Sequence, residues 1–347
     1  MATRVNEAFR VFMANEVNLD PSETNRARSS RDWLVSQIHS IAQYSDDFPN
    51  LYSEKDIFFG SFARRTKIRK LDDVDLMIGI GGGGTTYRDL GNQLELTVPE
   101  NIALRGLCHD GTNRLNSRKV INRFVAELAR VPQYQKAELG RNGSAAILNL
   151  TSYPWSFDVV PAFFTSPTYD GRDYYVIPDG RGHWMKTDPR IDQRRVTEIN
   201  QQNGGNALGL VRLAKFWNAR ATAPSMQSYL LECIVLSYCQ LADAVLSGHL
   251  SSDFPPLLRY ISTSIRGGVL DPKNIQGDIN TLDYFVRESI STRAAADADK
   301  AAVAVMFEAS GNHQEAIRQW GEILGPSFPS YDFGKLLRSL VGSDIRK

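Results

Sequence analysis

The chain has 347 residues, more than one hydrophobic core usually organises, so about two domains are expected. Apolar residues make up 42% and charged residues 23%, as in an ordinary globular protein. The formal net charge of +1 excludes the strongly basic surface of a non-specific nucleic-acid coat, so any nucleotide chemistry must be local. The three cysteines form no CxxC pair and no secretion signal is evident, which together predict a cytoplasmic protein.

The N-terminal segment has the pattern of two helices. Val5, Phe9 and Phe12 recur at helical spacing and predict an amphipathic helix with one apolar stripe. Asp20-Pro21 then begins a longer helix, because aspartate is a good N-cap and proline is tolerated at the first helical position. We expect this long helix to brace two lobes.

The middle of the chain shows short apolar runs, which are typical of strands, around one helical segment. Strands are predicted at 57–59, 74–80, 134–139, 144–150 and 155–160, and a helix at 113–130. The third and fourth of these strands, 134–139 and 144–150, are separated by Gly140-Arg141-Asn142-Gly143 and are predicted to form a hairpin. This part of the chain therefore predicts a mixed sheet with helices.

After Pro189 the strand signals disappear and helical patterns take over. Helices are predicted at 207–220, 225–246, 256–264, 281–293 and 312–324. The stretch 229–246 is apolar but contains Glu232, Gln240 and Asp243, which favours a buried helix over a membrane span. The expected fold is α+β, with a sheet-containing domain at 1–185 and a helical domain at 186–347.

The segment Phe59-Gly60-Ser61 has the features of an anion site. A Gly-Ser pair after an apolar strand can open a helix, whose first N–H groups and positive dipole end face an anion. Gly60 lets a phosphate approach the backbone, and the Ser61 hydroxyl adds a donor. The Gly60-Ser61 pair therefore predicts a triphosphate-binding loop.

Three aspartates predict a metal site. Asp73 and Asp75 lie two apart on a predicted strand, so both side chains leave the same face. Carboxylates this close repel each other unless a hard divalent cation compensates them. Asp158 is a lone acid in the apolar strand 155–160, where an uncompensated carboxylate would cost several kcal/mol. It is the candidate third ligand.

These segments resemble the DNA polymerase β-type nucleotidyltransferases. The family pattern, a Gly-Ser pair followed by Asp-x-Asp and a third aspartate, is met by Gly60-Ser61, Asp73-Val74-Asp75 and Asp158.

A longer form of the first motif points to one family within this superfamily. Gly-Ser-x-x-Arg-x-Thr is similar to the motif of the cGAS/DncV-like nucleotidyltransferases (CD-NTases) of bacterial anti-phage systems, and it is met by Gly60, Ser61, Arg64 and Thr66. The resemblance continues to Lys215 and to Ser228-Tyr229, so matching motifs run from residue 59 to 232.

The resemblance implies a polymerase β-like nucleotidyltransferase lobe, a helical OAS/poly(A)-polymerase-like lobe and an active site in the cleft between them. It implies an enzyme that uses NTPs to make a cyclic di- or trinucleotide second messenger, with pyrophosphate release, for a separate effector in anti-phage (CBASS) signalling. By the same resemblance, Asp73, Asp75 and Asp158 would bind two Mg²⁺, with Mn²⁺ as an alternative.

The resemblance also assigns the nucleotide contacts. Ser61 would hold the donor's terminal phosphates, Lys215 and Ser228 would hold them from the helical lobe, and Tyr229 would stack on the base. Gly60, Arg64 and Thr66 complete the nucleotide-binding set. The sequence contains no Cys/His zinc insertion and has no strongly basic overall charge, so a double-stranded DNA activator is not implied. No membrane association is expected either. The oligomeric state is left open, with a monomer as one possibility, and no regulatory partner is identified.

Two other functions also stay open. A template-independent enzyme that extends RNA, of the CCA-adding, poly(A) or oligoadenylate type, could use a basic groove along Arg190, Arg194, Arg195 and Arg212. A catalytically silent nucleotide-binding scaffold on the same fold is the second, and the presence of all three aspartates argues against it. Taken singly, Lys215 is also compatible with a solvated helix position and Tyr229 with a core position.

Overall fold

The computed structural model describes residues 1–91, 93–100, 102–220, 224–241 and 246–333. The predicted α+β class with a mixed sheet is confirmed. The helices are α1 (Val5–Phe12), α2 (Pro21–Tyr44), α3 (Gly60–Ala63), α4 (Ser117–Leu128), α5 (Pro189–Gln202), α6 (Ala207–Asn218), α7 (Ser228–Cys239), α8 (Leu250–Ser264), α9 (Tyr284–Ala309) and α10 (His313–Leu324). The strands are β1 (Ile57–Phe58), β2 (Asp73–Gly79), β3 (Thr86–Asp89), β4 (Leu94–Thr97), β5 (Glu138–Asn142), β6 (Ala145–Asn149), β7 (Ser156–Phe164), β8 (Tyr175–Pro178) and β9 (Trp184–Thr187).

The described chain divides into two compact units. The sheet unit comprises Pro21–Arg65 and Lys70–Gln193, and the helical unit comprises Met1–Asp20, Thr66–Arg69 and the described residues from Arg194 onward. These bounds differ from the predicted domains, 1–185 and 186–347, because the first twenty residues and a four-residue insert pack with the helices.

In the sheet unit the strands follow the order β1-β2-β7-β8-β9-β4-β3, and β6 also pairs with β7 and with β5. β2 and β7 run parallel, while β7 pairs antiparallel with β6 and, near its end, with β8. Strand β7 therefore has neighbours on both edges over its first half. This arrangement puts the predicted acidic strand beside the strand that carries Asp158.

Several predicted elements have different bounds in the structure. Gly140 to Asn142 belong to β5, so the hairpin turn lies at Gly143-Ser144, where Gly143 has a φ of +53°. The helix at 113–130 begins only at Ser117, because the Asn116 side chain caps it by accepting from the amides of Arg118 and Lys119. The helix at 281–293 extends to Ala309.

Other elements had no sequence prediction. Strands β3, β4, β8 and β9 are only four residues long each, too short for a clear alternation. Helix α5 is rich in polar residues and lacks the apolar stripe by which the other helices were predicted. The helix predicted at 225–246 ends at Cys239, and residues 242–245 lie outside the described ranges.

The core of the helical unit forms around α1 and α7. Phe9 packs edge-on against Trp320, with ring centroids 4.9 Å apart, and Phe12 packs in the same way against Phe216. α7 is buried on nearly all sides from Leu230 to Leu236, as predicted for a buried helix. Among the described residues, no helix is both long enough and apolar enough to cross a membrane.

Candidate active site

The parallel pairing of β2 and β7 brings the predicted metal ligands to one face of the sheet. Asp75 is the register partner of Asp158, and Asp73 is the partner of Ser156. Register partners on neighbouring strands, about 4.8 Å apart, carry their side chains to the same face, and residues two apart on a strand share that face too. Asp73, Asp75 and Asp158 therefore emerge together, and each is partly exposed.

The opposite face of the same strands is buried. Val74 and Leu76 of β2, and Phe157 and Val159 of β7, are at most 1% exposed. A slip of one residue in either strand would turn these apolar side chains outward and bury the acids. The hydrophobic core thus fixes which face carries the carboxylates.

The carboxylate face becomes apolar on the β6 side of Asp158 and further along the strands. On β6, Ile147 is the register partner of Asp158, so Asp158 lies between an aliphatic side chain and Asp75. Two residues on from the acids, Met77 and Val160 belong to a buried cluster on the same face. The acids therefore occupy the border between a polar and an apolar region of the sheet.

Gly60 lies against the Asp75 carboxylate. The Phe59 amide donates to the Asp75 carbonyl oxygen (3.3 Å), and α3 begins at the next residue. Gly60 has a φ of +70°, and a Cβ placed there would lie only 1.7 Å from Oδ2 of Asp75. Only glycine fits this position, because it both tolerates the left-handed backbone and leaves room for the carboxylate.

The chemistry of the donors fits a hard divalent cation, since all three predicted ligands are carboxylates on one face. Within the described ranges, no three His, Cys, Asp or Glu side chains already converge as a metal centre. The strand register and the Gly60 contact therefore carry this assignment, and the metal site stays a prediction.

The predicted phosphate loop continues through one helical turn. α3 contains Ser61, and the Arg64 amide donates to the Gly60 carbonyl at 3.2 Å. Arg65 follows with a φ of +60°, an uncommon conformation for a residue with a side chain. Ser61 and Arg64 are partly buried, and Arg65 is exposed.

The remaining predicted residues belong to the helical unit, where Thr66 and Lys215 meet a residue that the prediction did not include. Glu232 Oε2 accepts from Lys215 Nζ at 2.6 Å and from Thr66 Oγ1 at 2.7 Å. Lys215 Nζ also donates to Thr66 Oγ1 at 3.1 Å. Lys215 is 5% exposed, so it lies in a buried ion pair and not at a solvated helix position.

Ser228 and Tyr229 form the first turn of α7, where Ser228 is exposed and Tyr229 is partly buried. The Tyr229 hydroxyl lies 3.4 Å from Asp271 Oδ1 and accepts a hydrogen bond from Lys273. The Lys273 ammonium also lies 4.2 Å from the centroid of the Tyr229 ring, within range of a cation–π interaction. One side of the predicted base platform thus carries a positive charge.

Asp271 holds Lys273 in this position. Its carboxylate pairs with Lys273 Nζ at 3.0 Å and accepts from the backbone amides of Lys273, Ile275 and Gln276. Burial of Asp271 raises its pKa, but the hydrogen bonds from the Lys273 side chain and from the Gln276 and Lys273 amides outweigh burial, and the net pKa is lowered.

Sequence reasoning missed Glu232, Asp271 and Lys273. Glu232 had a signal, because it is a lone acid in an apolar helical run, as Asp158 is in an apolar strand. Asp271 and Lys273 lie in a loop more than forty residues from Tyr229 and carry no pattern that points to it.

Replacing Gly60 with alanine is expected to destabilise the sheet unit and displace Asp75. The left-handed backbone alone costs about 1–3 kcal/mol for a residue with a Cβ, before any clash is counted. Urea unfolding of Gly60→Ala measures the loss, and Gly140→Ala is the matched control, because a Cβ at Gly140 meets nothing within 4 Å. Equal stability of the two variants would contradict the account of Gly60.

Replacing Asp271 with asparagine is expected to lower the free energy of unfolding at neutral pH. It should also make the free energy of unfolding fall less as the pH is lowered. The folded pKa of Asp271 is lowered, so the carboxylate stabilises the fold above its unfolded pKa, and this contribution is lost as the pH falls through the folded value. Unfolding free energies of Asp271→Asn and the wild type, measured from neutral pH to about pH 3, should converge at the acid end. A constant difference across that range would contradict the prediction.

Comparison with known proteins identifies the family. No family model matches the chain. A probable cyclic nucleotide synthase of Bacillus cereus (strain VD146) is 44% identical over 335 residues, which cover 96% of this chain and 100% of that protein. This identity over nearly the whole length shows common family membership.

Solved structures show the same fold. CdnC of E. coli MS115-1, determined with ATP, superposes with a TM-score of 0.68 at 17% identity, over 94% of this chain and 99% of that one. DncV of Vibrio cholerae, a cyclic AMP-GMP synthase described as a prokaryotic cGAS homologue, superposes with a TM-score of 0.65 at 10% identity, over 95% and 98%. The family predicted from the motifs is confirmed: the chain belongs to the cGAS/DncV-like nucleotidyltransferases and is an enzyme of that family.

Proposed function

We propose that this enzyme makes a cyclic di- or trinucleotide from NTPs, with release of pyrophosphate at each step. The observation that carries the proposal is the register of β2 and β7, which pairs Asp75 with Asp158 and puts Asp73 on the same face. The B. cereus relative supports it, because that protein is named a probable cyclic nucleotide synthase.

The three aspartates would hold two Mg²⁺ ions, or Mn²⁺ in their place, since carboxylate oxygens are the preferred ligands of such hard cations. When bound, the ions lower the pKa of the attacking hydroxyl and neutralise the charge of the departing pyrophosphate. Asp158 is the candidate to accept the hydroxyl proton, because it lies beside the proposed metal ligand Asp75 on the same face of the sheet.

The donor triphosphate would lie along Gly60-Ser61, where the serine hydroxyl would donate to a phosphate oxygen. A ribose hydroxyl of the acceptor nucleotide attacks the α-phosphorus, and the bond to the β-phosphate oxygen breaks. The same step within the linear intermediate closes the ring. Arg64, Lys215 and Ser228 are the further proposed phosphate contacts. The Thr66 hydroxyl is buried and donates to Glu232, so Thr66 would act through its contact with Lys215.

The donor base would stack on Tyr229. Because the Lys273 ammonium lies over this ring, a base can use only the part of the aromatic surface away from the cation. Base stacking on an aromatic ring is tolerant of base identity. Any base preference must therefore come from groups at the edge of the base.

Extension of RNA is less well supported. Three arginines of the proposed basic groove have partners within the chain: Arg190 binds Asp188 and Asp173, Arg195 contacts Ser237 and Gln240, and Arg212 donates to Asn18. Burial lowers the pKa of Arg212, as expected for a guanidinium removed from solvent. Arginines that are paired and partly buried make a poor phosphate-tracking groove.

The family resemblance supports a wider role. We propose that the product is a second messenger for a separate effector protein in bacterial anti-phage (CBASS) signalling in the cytoplasm. Neither double-stranded DNA nor a membrane takes part in this proposal.

Incubation of the purified protein with all four NTPs and Mg²⁺ is expected to yield small, phosphatase-resistant products, which mass spectrometry identifies. Asp75→Asn and Asp158→Asn should each lower the rate by at least about 1,000-fold, because each removes a proposed cation ligand. Asp72→Asn is the matched control. Asp72 is exposed next to the acidic strand, and it is the main-chain oxygen of Asp72 that accepts from Ser156.

Two results would contradict the proposal. Incorporation of nucleotides only into added RNA would favour the extending enzyme. The metal-ligand assignment is refuted if Asp75→Asn and Asp158→Asn lower the rate no more than Asp72→Asn does.

A further inference from the structure

Helix α7 carries a carboxylate in an otherwise apolar and buried stretch. Glu232 is 1% exposed, and its neighbours Leu231 and Cys233 are buried as well. A buried carboxylate costs several kcal/mol unless it is paired and hydrogen-bonded. Glu232 therefore depends on its partners, and they are two residues of the nucleotide-binding motifs.

The three polar groups form a closed triangle. One oxygen of Glu232 accepts from both Lys215 and Thr66, and Lys215 also donates to Thr66. All three residues are at most 5% exposed. In such a network each contact restricts the direction of the other two, and charge-assisted hydrogen bonds are the stronger kind.

Stability alone does not account for this cluster. A buried ion pair can often be replaced by apolar side chains of similar volume without loss of stability. A pair that is retained within nucleotide-binding motifs is therefore better explained by the geometry that it imposes.

One residue of the cluster is adjacent in sequence to the phosphate loop. Thr66 directly follows Arg65, whose backbone has a φ of +60°. On α7, Ser228 and Tyr229 precede Glu232 by four and three residues and so share its side of the helix. Glu232 thus lies among four residues that the motifs assign to the nucleotide.

We propose that Glu232 is a positioning residue for the NTP: together with Thr66 it orients the Lys215 ammonium toward the triphosphate. This inference rests on the proposed function, in which Lys215 contacts phosphate. Glu232 itself acts through these two residues and does not touch the substrate.

The experiment measures ATP binding with Mg²⁺ by calorimetry, together with melting temperature, for Glu232→Gln, Lys215→Met and the double variant. Glu232→Gln should weaken ATP binding about tenfold and raise KM more than it lowers kcat. The double variant should melt close to the wild type, because neither buried charge is left unpaired. Its ATP affinity should be no lower than that of Lys215→Met alone, because Glu232 acts through Lys215.

Asp297→Asn is the matched control. Asp297 is a buried carboxylate of the same unit that accepts from the Trp217 indole N–H at 2.8 Å, and it lies outside the nucleotide motifs. It should lower the melting temperature and leave ATP affinity unchanged. Equal affinities of Glu232→Gln and the wild type, or additive losses in the double variant, would overturn the inference.

Two further outcomes are distinct. If Glu232→Gln does not fold, the comparison of the double variant with Lys215→Met still decides the question, because a weaker ATP affinity in the double variant refutes a role that acts through Lys215. If the wild type binds ATP but forms no cyclic product, the proposed function fails, while the affinity comparison still tests Glu232.

Discussion

The parallel pairing of β2 with β7 is the constraint on which the candidate active site depends. The register sets Asp75 beside Asp158, and the period of two along a strand adds Asp73 to the same face. What holds this register is the hydrophobic core behind it, where Val74, Phe157 and Val159 are at most 1% exposed. The acids are thus placed by residues that make no contact with a substrate.

Much of this arrangement could be predicted from the sequence. The alternation around Asp73 and Asp75 predicted both the strand and its polar face, and the isolation of Asp158 in an apolar run predicted that it needs a partner. The pairing of the two strands could not be read from periodicity, because the partners Asp75 and Asp158 are 83 residues apart and the parallel partner of a strand leaves no local signal. The family resemblance supplied that link.

The helical part of the site was less predictable. Lys215 and Tyr229 were assigned from motifs, but their partners Glu232 and Lys273 follow from tertiary packing. Thr66 and Lys215 are 149 residues apart and meet only in the folded chain. The reasoning applied to Asp158 would have found Glu232, since both are lone acids in apolar elements, whereas no local pattern distinguishes Lys273 or Asp271.

Under the proposed function, these contacts would explain how a chain with a formal net charge of +1 binds anionic substrates. The two lysines near the proposed nucleotide contacts are each paired with an acid: Lys215 with Glu232 and Lys273 with Asp271. Such pairs hold each ammonium group in place without making the whole surface basic.

The most direct measurement of the central claim is a crystal structure with Mn²⁺ and a non-hydrolysable ATP analogue, using anomalous scattering to locate the metal. The account predicts manganese within about 2.2 Å of carboxylate oxygens of Asp73, Asp75 and Asp158. Manganese bound elsewhere, or bound without Asp158, would contradict it.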